Sequence, residues 1–209
     1  MYRPAHFRED DPARLAAFMD ANALALVVAN SPVGLLANHI PLLRFAEGEG
    51  RTVLRGHVAR ANEFWKVVPP GAEVLAVFSG AHVYVTPSWY PTKSTTGEVV
   101  PTWNYSSVHA YGRVTFIEDP EWLRNLVVAL TDRHEAPRAA PWKVTDAPAT
   151  YIGRMLRAIV GFEIAVERIE GKVKASQNRT DAERAGVEAG LEADGVGAEL
   201  RRELVRSKS

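Results

Sequence analysis

The stretch YVTPSWYPTKSTTGEVVPTWNY, residues 84–105, decides how the rest of the chain is read. Two of the five tryptophans, Trp89 and Trp103, stand here with Tyr84, Tyr90 and Tyr105. Pro87, Pro91 and Pro101 argue against a regular helix, because proline lacks an amide donor and its ring clashes with the preceding turn. Thr95, Thr96 and Gly97 read as a turn tip between two extended arms. Alternation along VPTWNY (100–105) sends Thr102 and Asn104 to one face, Trp103 and Tyr105 to the other. Rings, hydroxyls, an amide and the Lys93 ammonium on stiff backbone suit a planar ligand with an anionic tail. They equally suit an aromatic hairpin in a core or an interface. Composition alone favours that second reading, since Trp and Tyr concentrate at interfaces.

Upstream, Asp11-Pro12 is a helix start, and Leu15, Phe18 and Met19 give residues 12–22 one apolar face. Residues 24–30, 35–45 and 51–58 read as three strands joined at SPVG (31–34) and EGEG (47–50). Pro41 inside the second strand predicts an edge or a bulge. A short helix is expected over 59–68, then strands at 73–78 and 82–86. Downstream, a strand over 108–118 precedes a helix over 120–133, opened by Asp119-Pro120. Residues 135–149 read as a loop, 147–157 as a helix, and 159–171 as a last long strand. Thr180 and Glu183 form a capping-box pair before one helix of the tail, and 196–206 is a second. That tail has few large apolar residues and is expected to pack weakly or against a partner. Some seven short strands at hairpin spacing, with helices between them, predict an antiparallel barrel with peripheral helices. Strict βαβ alternation is missing, which argues against a doubly wound parallel sheet.

The 209 residues, 46% hydrophobic and 24% charged, describe a soluble globular protein with enough chain for a sizeable core. Twenty-five basic residues balance twenty-five acidic ones, which speaks against a broad electrostatic grip on nucleic acid. With no cysteine there is no disulfide, thiolate nucleophile or iron–sulfur ligation. The first ten residues lack the apolar run of a signal peptide, and no segment has membrane-spanning length. A cytoplasmic location is the resulting expectation. The six histidines show neither HExxH nor HxH spacing, so no metal site is expected.

Four stretches carry the candidate chemistry. GHVARAN (56–62) sits where a strand ends and a helix begins, and places His57 and Arg60 to meet a phosphate. An exposed arginine on a helix's first turn is the ordinary alternative. NHIPLL (38–43) is expected on the hairpin partner of that strand, with His39 facing His57. VPTWNY is the third. GKVKASQNR (171–179) gathers cations and amides between a strand and a capped helix, which suits an anion or simply a solvated loop. There is no GxGxxG, no GxxxxGK[ST] and no GxSxG, and no carboxylate pair stands at a catalytic spacing. Redox chemistry would have to come from a bound cofactor.

Taken together, MYRPAHF, NHIPLL, GHVARAN..W, YVTPSWY..K, VVPTWNY..VHAYG, PW at 141–142, IVGFEI and IEGK.K.SQN resemble the PaiB family of FMN-binding proteins, often described as negative transcriptional regulators. The resemblance covers the chain to about residue 180, and PSWY, VPTWNY and SQN together are specific. Ala175 stands where the family pattern has Leu before SQN. The resemblance implies a mainly β (α+β) fold. It is the antiparallel split β-barrel shared with pyridoxamine phosphate oxidase and flavin reductase-like proteins, with peripheral helices and a short helical C-terminal tail. An FMN-binding domain over 1–180 and a tail over 181–209 follow. It also implies a homodimer with FMN at the subunit interface. Asn38, His39 and Ile40 would line the flavin ring, and Arg55, His57, Arg60 and Asn62 occupy the phosphate region. Trp103 and Asn104, with Lys93 and Gln177, would come from the second subunit. Ser88 and Trp89 complete the expected cofactor-binding set.

Three functions are compatible with this reading. The first is an FMN-binding regulator that lowers transcription. The second is an FMN-dependent oxidoreductase, for which His57, His39 and Tyr90 are the acid–base candidates. The third is a dimeric scaffold that no longer binds FMN. DNA contact gets no support from net charge or from a helix-turn-helix, and would fall to the basic end (Arg201, Arg202, Arg206, Lys208) or to a partner protein.

Overall fold

The computed structural model describes residues 1–206, the side chain of Glu49 excepted. Lys208 of the basic end therefore lies outside the described residues. The chain forms two compact units, each assembled from separated segments. Of the described residues, unit 1 comprises 1–18, 78–109 and 170–206, and unit 2 comprises 19–77 and 110–169.

In chain order the strands are β1 (Arg8–Glu9), β2 (Leu24–Ser31), β3 (Gly34–Pro41), β4 (Leu43–Glu47), β5 (Arg51–Ala59), β6 (Glu73–Val85), β7 (Thr102–Ile117) and β8 (Ile159–Lys174). The helices are α1 (Pro12–Ala21), α2 (Phe64–Val67), α3 (Thr92–Thr95), α4 (Pro120–Glu135), α5 (Ala149–Arg157), α6 (Asp181–Ala193) and α7 (Ala198–Leu204). The strands form one sheet in the order β3-β2-β6-β7-β8-β5-β4, with β1 added on β8. Every registered pair is antiparallel. The strands β6, β7 and β8 each continue from one unit into the other.

Unit 2 holds the two margins of the sheet, β3 and β4, and only Leu42 separates them in sequence. The single strand expected over 35–45 is therefore two strands. Pro41 has no amide hydrogen to continue a ladder, so β3 ends on it. Leu42 turns inward, 2% exposed, and its amide donates to the Ala23 carbonyl at 2.8 Å. Gly56 of β5 lies against this seam: a Cβ there would sit 2.7 Å from Leu42 Cδ2 and 3.1 Å from the Pro41 carbonyl oxygen. Around it the core stacks Phe64 edge-on to Phe162 and Phe116, at centroid distances of 5.7 and 5.5 Å. The splitting of 35–45 has a consequence for the site. β3 pairs with β2 and β4 with β5, so His39 lies opposite Leu26, His57 lies opposite Gly161, and the two histidines do not face each other across a hairpin.

Three other expectations change. The helix over 59–68 shrinks to four residues, preceded by a turn in which the Asn62 side chain accepts from the Phe64 amide at 2.8 Å. The strands expected at 73–78 and 82–86 are one, since Ser79-Gly80 runs straight through β6. Gly80 is needed there for closeness rather than for a turn: a Cβ would meet the Phe18 ring at 2.8 Å. In the aromatic stretch, the extended arm before the tip is instead a helical turn at Pro87–Trp89 and the four-residue α3. Prolines tolerate this because Pro87 and Pro91 each stand at the start of their turn, where no intrahelical amide is required.

The tail is packed. In unit 1, Val187 and Leu191 of α6 and Leu204 of α7 close on Val85 and Tyr90, all buried. The Thr180–Glu183 capping box forms as read from sequence. Asp119 caps α4 by accepting from the Trp122 amide at 2.7 Å, and Asp11 caps α1 by accepting from Arg14 at 2.9 Å.

Candidate functional site

Unit 2 carries Asn38, Arg55, His57, Arg60 and Asn62, of which Asn38 and Asn62 meet directly. Alternation on β5 points Leu54, Gly56 and Val58 into the core, and Arg55 and His57 to the other face. Arg55 is committed: it donates to Glu163, directly opposite on β8, and to Glu47, both at 2.7 Å, and its guanidinium lies 4.6 Å from the Phe45 ring centroid. Arg60 is committed too. It donates to Glu118 and to the carbonyls of Arg157 and Ile159. Its own carbonyl accepts from the Trp65 indole at 2.9 Å. Asn62 donates to Asn38 at 2.9 Å, which ties the turn before α2 to β3.

His57 is different. Its Nδ1 is buried without a hydrogen-bond partner, and burial lowers its pKa below the usual histidine value. Trp122 packs against the backbone of Gly161, opposite His57, so closely that no Cβ would fit there. Along β3, Ile40 faces the core at 3% exposure and His39 faces solvent. The same outward face is apolar, with Leu35 78% exposed at one end of the β2–β3 pair and Leu24 61% exposed at the other.

Unit 1 carries the other candidates. The alternation read from VPTWNY holds: Asn104 is 1% exposed and Trp103 is 52% exposed. Trp103 forms an open aromatic cluster with Tyr84 and His82 of β6, at centroid distances of 5.9 and 6.1 Å. Lys93 donates to the Ser88 hydroxyl at 3.0 Å, on the exposed side of the helical turn. Trp89 is half-buried and lies on α6, where Gly186 and Gly190 leave room for its backbone and ring. Gln177 spends both ends of its amide on its own turn, accepting from the Ala175 amide at 2.7 Å and donating to the Val173 carbonyl at 2.6 Å. Asn104 donates to the Ser176 hydroxyl and the Leu204 carbonyl, and its Oδ1 is left without a partner.

The candidates thus sort into ligand-facing and fold-holding groups. Trp103, Lys93, Ser88 and His39 present themselves to solvent, and His57 keeps a free buried nitrogen. Trp89, Gln177, Arg55 and Arg60 are occupied within the chain. Tyr84 and His82 were missed as site residues. Period-2 spacing of His82 and Tyr84 within the expected strand 82–86 was the available signal, but the pairing of that strand with Trp103 of β7 is set by distant residues and does not show in sequence. Among the described residues no group of three or more His, Asp or Glu side chains is arranged to hold a metal ion, and no helix is long and apolar enough to cross a membrane.

Kinship is consistent with this geometry. A family model described as "Putative FMN-binding domain" matches residues 1–168. The "Protease synthase and sporulation protein PAI 2" of Bacillus subtilis is 32% identical over 183 residues, covering 88% of this chain and 85% of that protein. Among solved structures, the FAD and heme binding protein from Mycobacterium smegmatis superposes with a TM-score of 0.59 at 18% identity, covering 80% of this chain and 73% of that one. The flavocytochrome Anf3 from Azotobacter vinelandii gives 0.53 at 19%, covering 83% and 72%. At such identities these two structures speak for the fold alone. The family match and the Bacillus relative go further, and by them this chain belongs to the PaiB family of split-barrel, FMN-binding-type proteins.

Proposed function

We propose that this protein binds FMN as a homodimer and acts as a flavin-dependent regulator of the PaiB type, lowering transcription. The observation that carries the proposal is the open Trp103–Tyr84–His82 cluster. Tyr84 stands edge-on to Trp103 at 69° and His82 is tilted from it by 38°, so the cluster is an angled π surface that unit 1 leaves in water although the opposite face of the same strand is buried. Covering the exposed half of Trp103, roughly 100 Å², stabilises by about 2–3 kcal/mol. An isoalloxazine ring supplies such a cover, and a second copy supplies the opposing wall. In this reading His39 on β3 of one copy faces Trp103, Ser88 and Lys93 of the other, while Ile40, buried in its own core, supports the strand from behind. The apolar outer face of β2 and β3 then becomes part of the dimer contact. Bound there, FMN supplies electron-accepting chemistry that the side chains lack. His57, held neutral by burial and with Nδ1 free, is positioned to accept a hydrogen bond from the ligand.

The regulatory role draws its support from the relative named for protease synthesis and sporulation. In the described part of the tail Arg201 is engaged by the Val196 carbonyl and Glu192, which leaves Arg202 and Arg206 as exposed cations, too few for a broad grip on DNA. Regulation through a partner protein is therefore the preferred route. An absorbance spectrum of the purified protein, before and after FMN addition and gel filtration, tests the core claim. Flavin co-eluting with a dimer, and lost in Trp103→Ala, is expected. Colourless protein after loading refutes it. A gel shift on upstream DNA, with and without a lysate of the source cells, tests the route.

A further inference from the structure

Unit 1 contains a cavity of about 200 Å³ whose walls are Phe7, Tyr90 and Val100 and whose polar lining comes from Thr102, Asn104 and the segment around Lys174 to Arg179. Its charge is unbalanced. Lys174 donates to the Thr102 hydroxyl and has no carboxylate partner among the described residues. Lys172, two residues earlier on the same face of β8, is 7% exposed and lies over the rings of Tyr2 and Tyr105. Arg179 stacks on Tyr90 at 4.8 Å and meets Glu183 at 3.6 Å. Glu183 is itself taken up by Thr180 and Thr92. Of these three cations, among the described residues only Arg179 meets a carboxylate. Burial, then Lys172 and Arg179, lower the pKa of Lys174, as expected where a cation lacks its counter-ion.

The cavity also holds an unused acceptor. Asn104 is 1% exposed and its Oδ1 has no partner, although leaving such an atom unpaired is costly. The lining is fixed in place: Ser176 adopts φ 59°, and Gln177 locks the turn around it. An anion would satisfy Lys174, and a donor beside that anion would satisfy Asn104.

We infer that this cavity is a second ligand site, separate from the flavin site, which takes a small oxyanion carrying a hydrogen-bond donor next to its charge. A hydroxy acid and a phosphate both have that chemistry. The inference does not depend on flavin binding, because the cavity is lined by none of Trp103, Ser88, Lys93, His39 or His57, on which the flavin reading rests.

The test is thermal unfolding of the purified protein, with and without added FMN. Inorganic phosphate, malate and succinate are titrated at constant ionic strength against chloride. A saturable rise in Tm with phosphate or malate is expected, and whichever acts at lower concentration identifies the source of the oxyanion. Malate should exceed succinate, since only malate brings a hydroxyl to Asn104. Lys174→Met should raise Tm without ligand, by relieving repulsion from Lys172 and Arg179, and weaken the response at least tenfold. Arg179→Gln provides a second weakened variant. Flavin absorbance should be the same in all of them. No saturable response beyond chloride, an unchanged response in Lys174→Met, or release of flavin by phosphate would overturn the inference.

Discussion

Replacing Gly190 with alanine should destabilise this protein, against the usual sense of the substitution. Glycine inside a helix costs about 0.5–1 kcal/mol relative to alanine, because its unfolded backbone has more freedom to lose. Gly190 stands in α6, three residues from its end, and its buried face lies under the Trp89 indole. A Cβ built there falls within 3.0 Å of Trp89 Cγ, Cδ2 and Cε2, all ring atoms with no flexible end to swing away. Trp89 cannot retreat freely, because its carbonyl is pressed on Gly186 one turn earlier. Overpacking of this kind costs about 1–3 kcal/mol, which exceeds the propensity gain. The net expectation is a loss of about 1–2 kcal/mol, or about 2–8 °C in Tm for a chain of this size. Gly153→Ala in α5 is the control, since its Cβ would meet only Arg157 Nη1 at 3.9 Å. It should stabilise by up to about 1 kcal/mol. Urea unfolding followed by circular dichroism measures both. If Gly190→Ala proves as stable as the parent while Gly153→Ala behaves as expected, the packing of Trp89 on α6 is wrong.

Gly56→Ala should cost about 2 kcal/mol or more, because backbone and the Leu42 side chain both crowd the new methyl, and Leu42→Ala in the same background should recover part of it in a double-mutant cycle. Stability should fall as pH drops below about 6.5, since the unfolded chain takes a proton on His57 that the buried native imidazole resists. The slope from His57 is at most about 1.4 kcal/mol per pH unit, His109 acts in the same direction, and His57→Gln should flatten the profile in urea titrations at pH 5–7. Burial pushes the Glu183 carboxyl up, but hydrogen bonds from Thr180 and Thr92 and the Arg179 charge outweigh it and leave it below its usual range. The capping box therefore contributes stability above the ordinary carboxylate pKa and loses it as pH falls further; Thr180→Ala should remove about 1 kcal/mol at neutral pH, read by the same unfolding assay.

The parts of this fold that local chemistry dictates were legible. Asp-Pro pairs marked the starts of α1 and α4, the Thr180–Glu183 spacing marked α6, and alternation placed Asn104 inside and Trp103 outside. Continuity across small residues was not. Ser79-Gly80 looks like a turn by composition, yet a glycine permits a straight strand to pass close to Phe18 as readily as it permits a bend. Leu42 gave no warning of the break between β3 and β4 beyond Pro41, because which neighbour a strand pairs with is decided by distant residues. The fate of the tail was equally hidden: two glycines in α6 read as weak helix, and their value shows only once Trp89 lies across them. In the candidate site, residue type identified the groups but not their commitments. Arg55 and Arg60 look available in sequence, and only the cross-strand register reveals Glu163 opposite the first.

The junction at Leu42 works as a clasp. Two sheet margins tied by one residue stay at a high effective concentration for each other, so if either peels away it is recaptured by its own chain before another molecule can add to it. A protease cut at that point would leave all the side chains in place and remove only the recapture. The nicked protein should then aggregate from conditions in which the intact chain refolds.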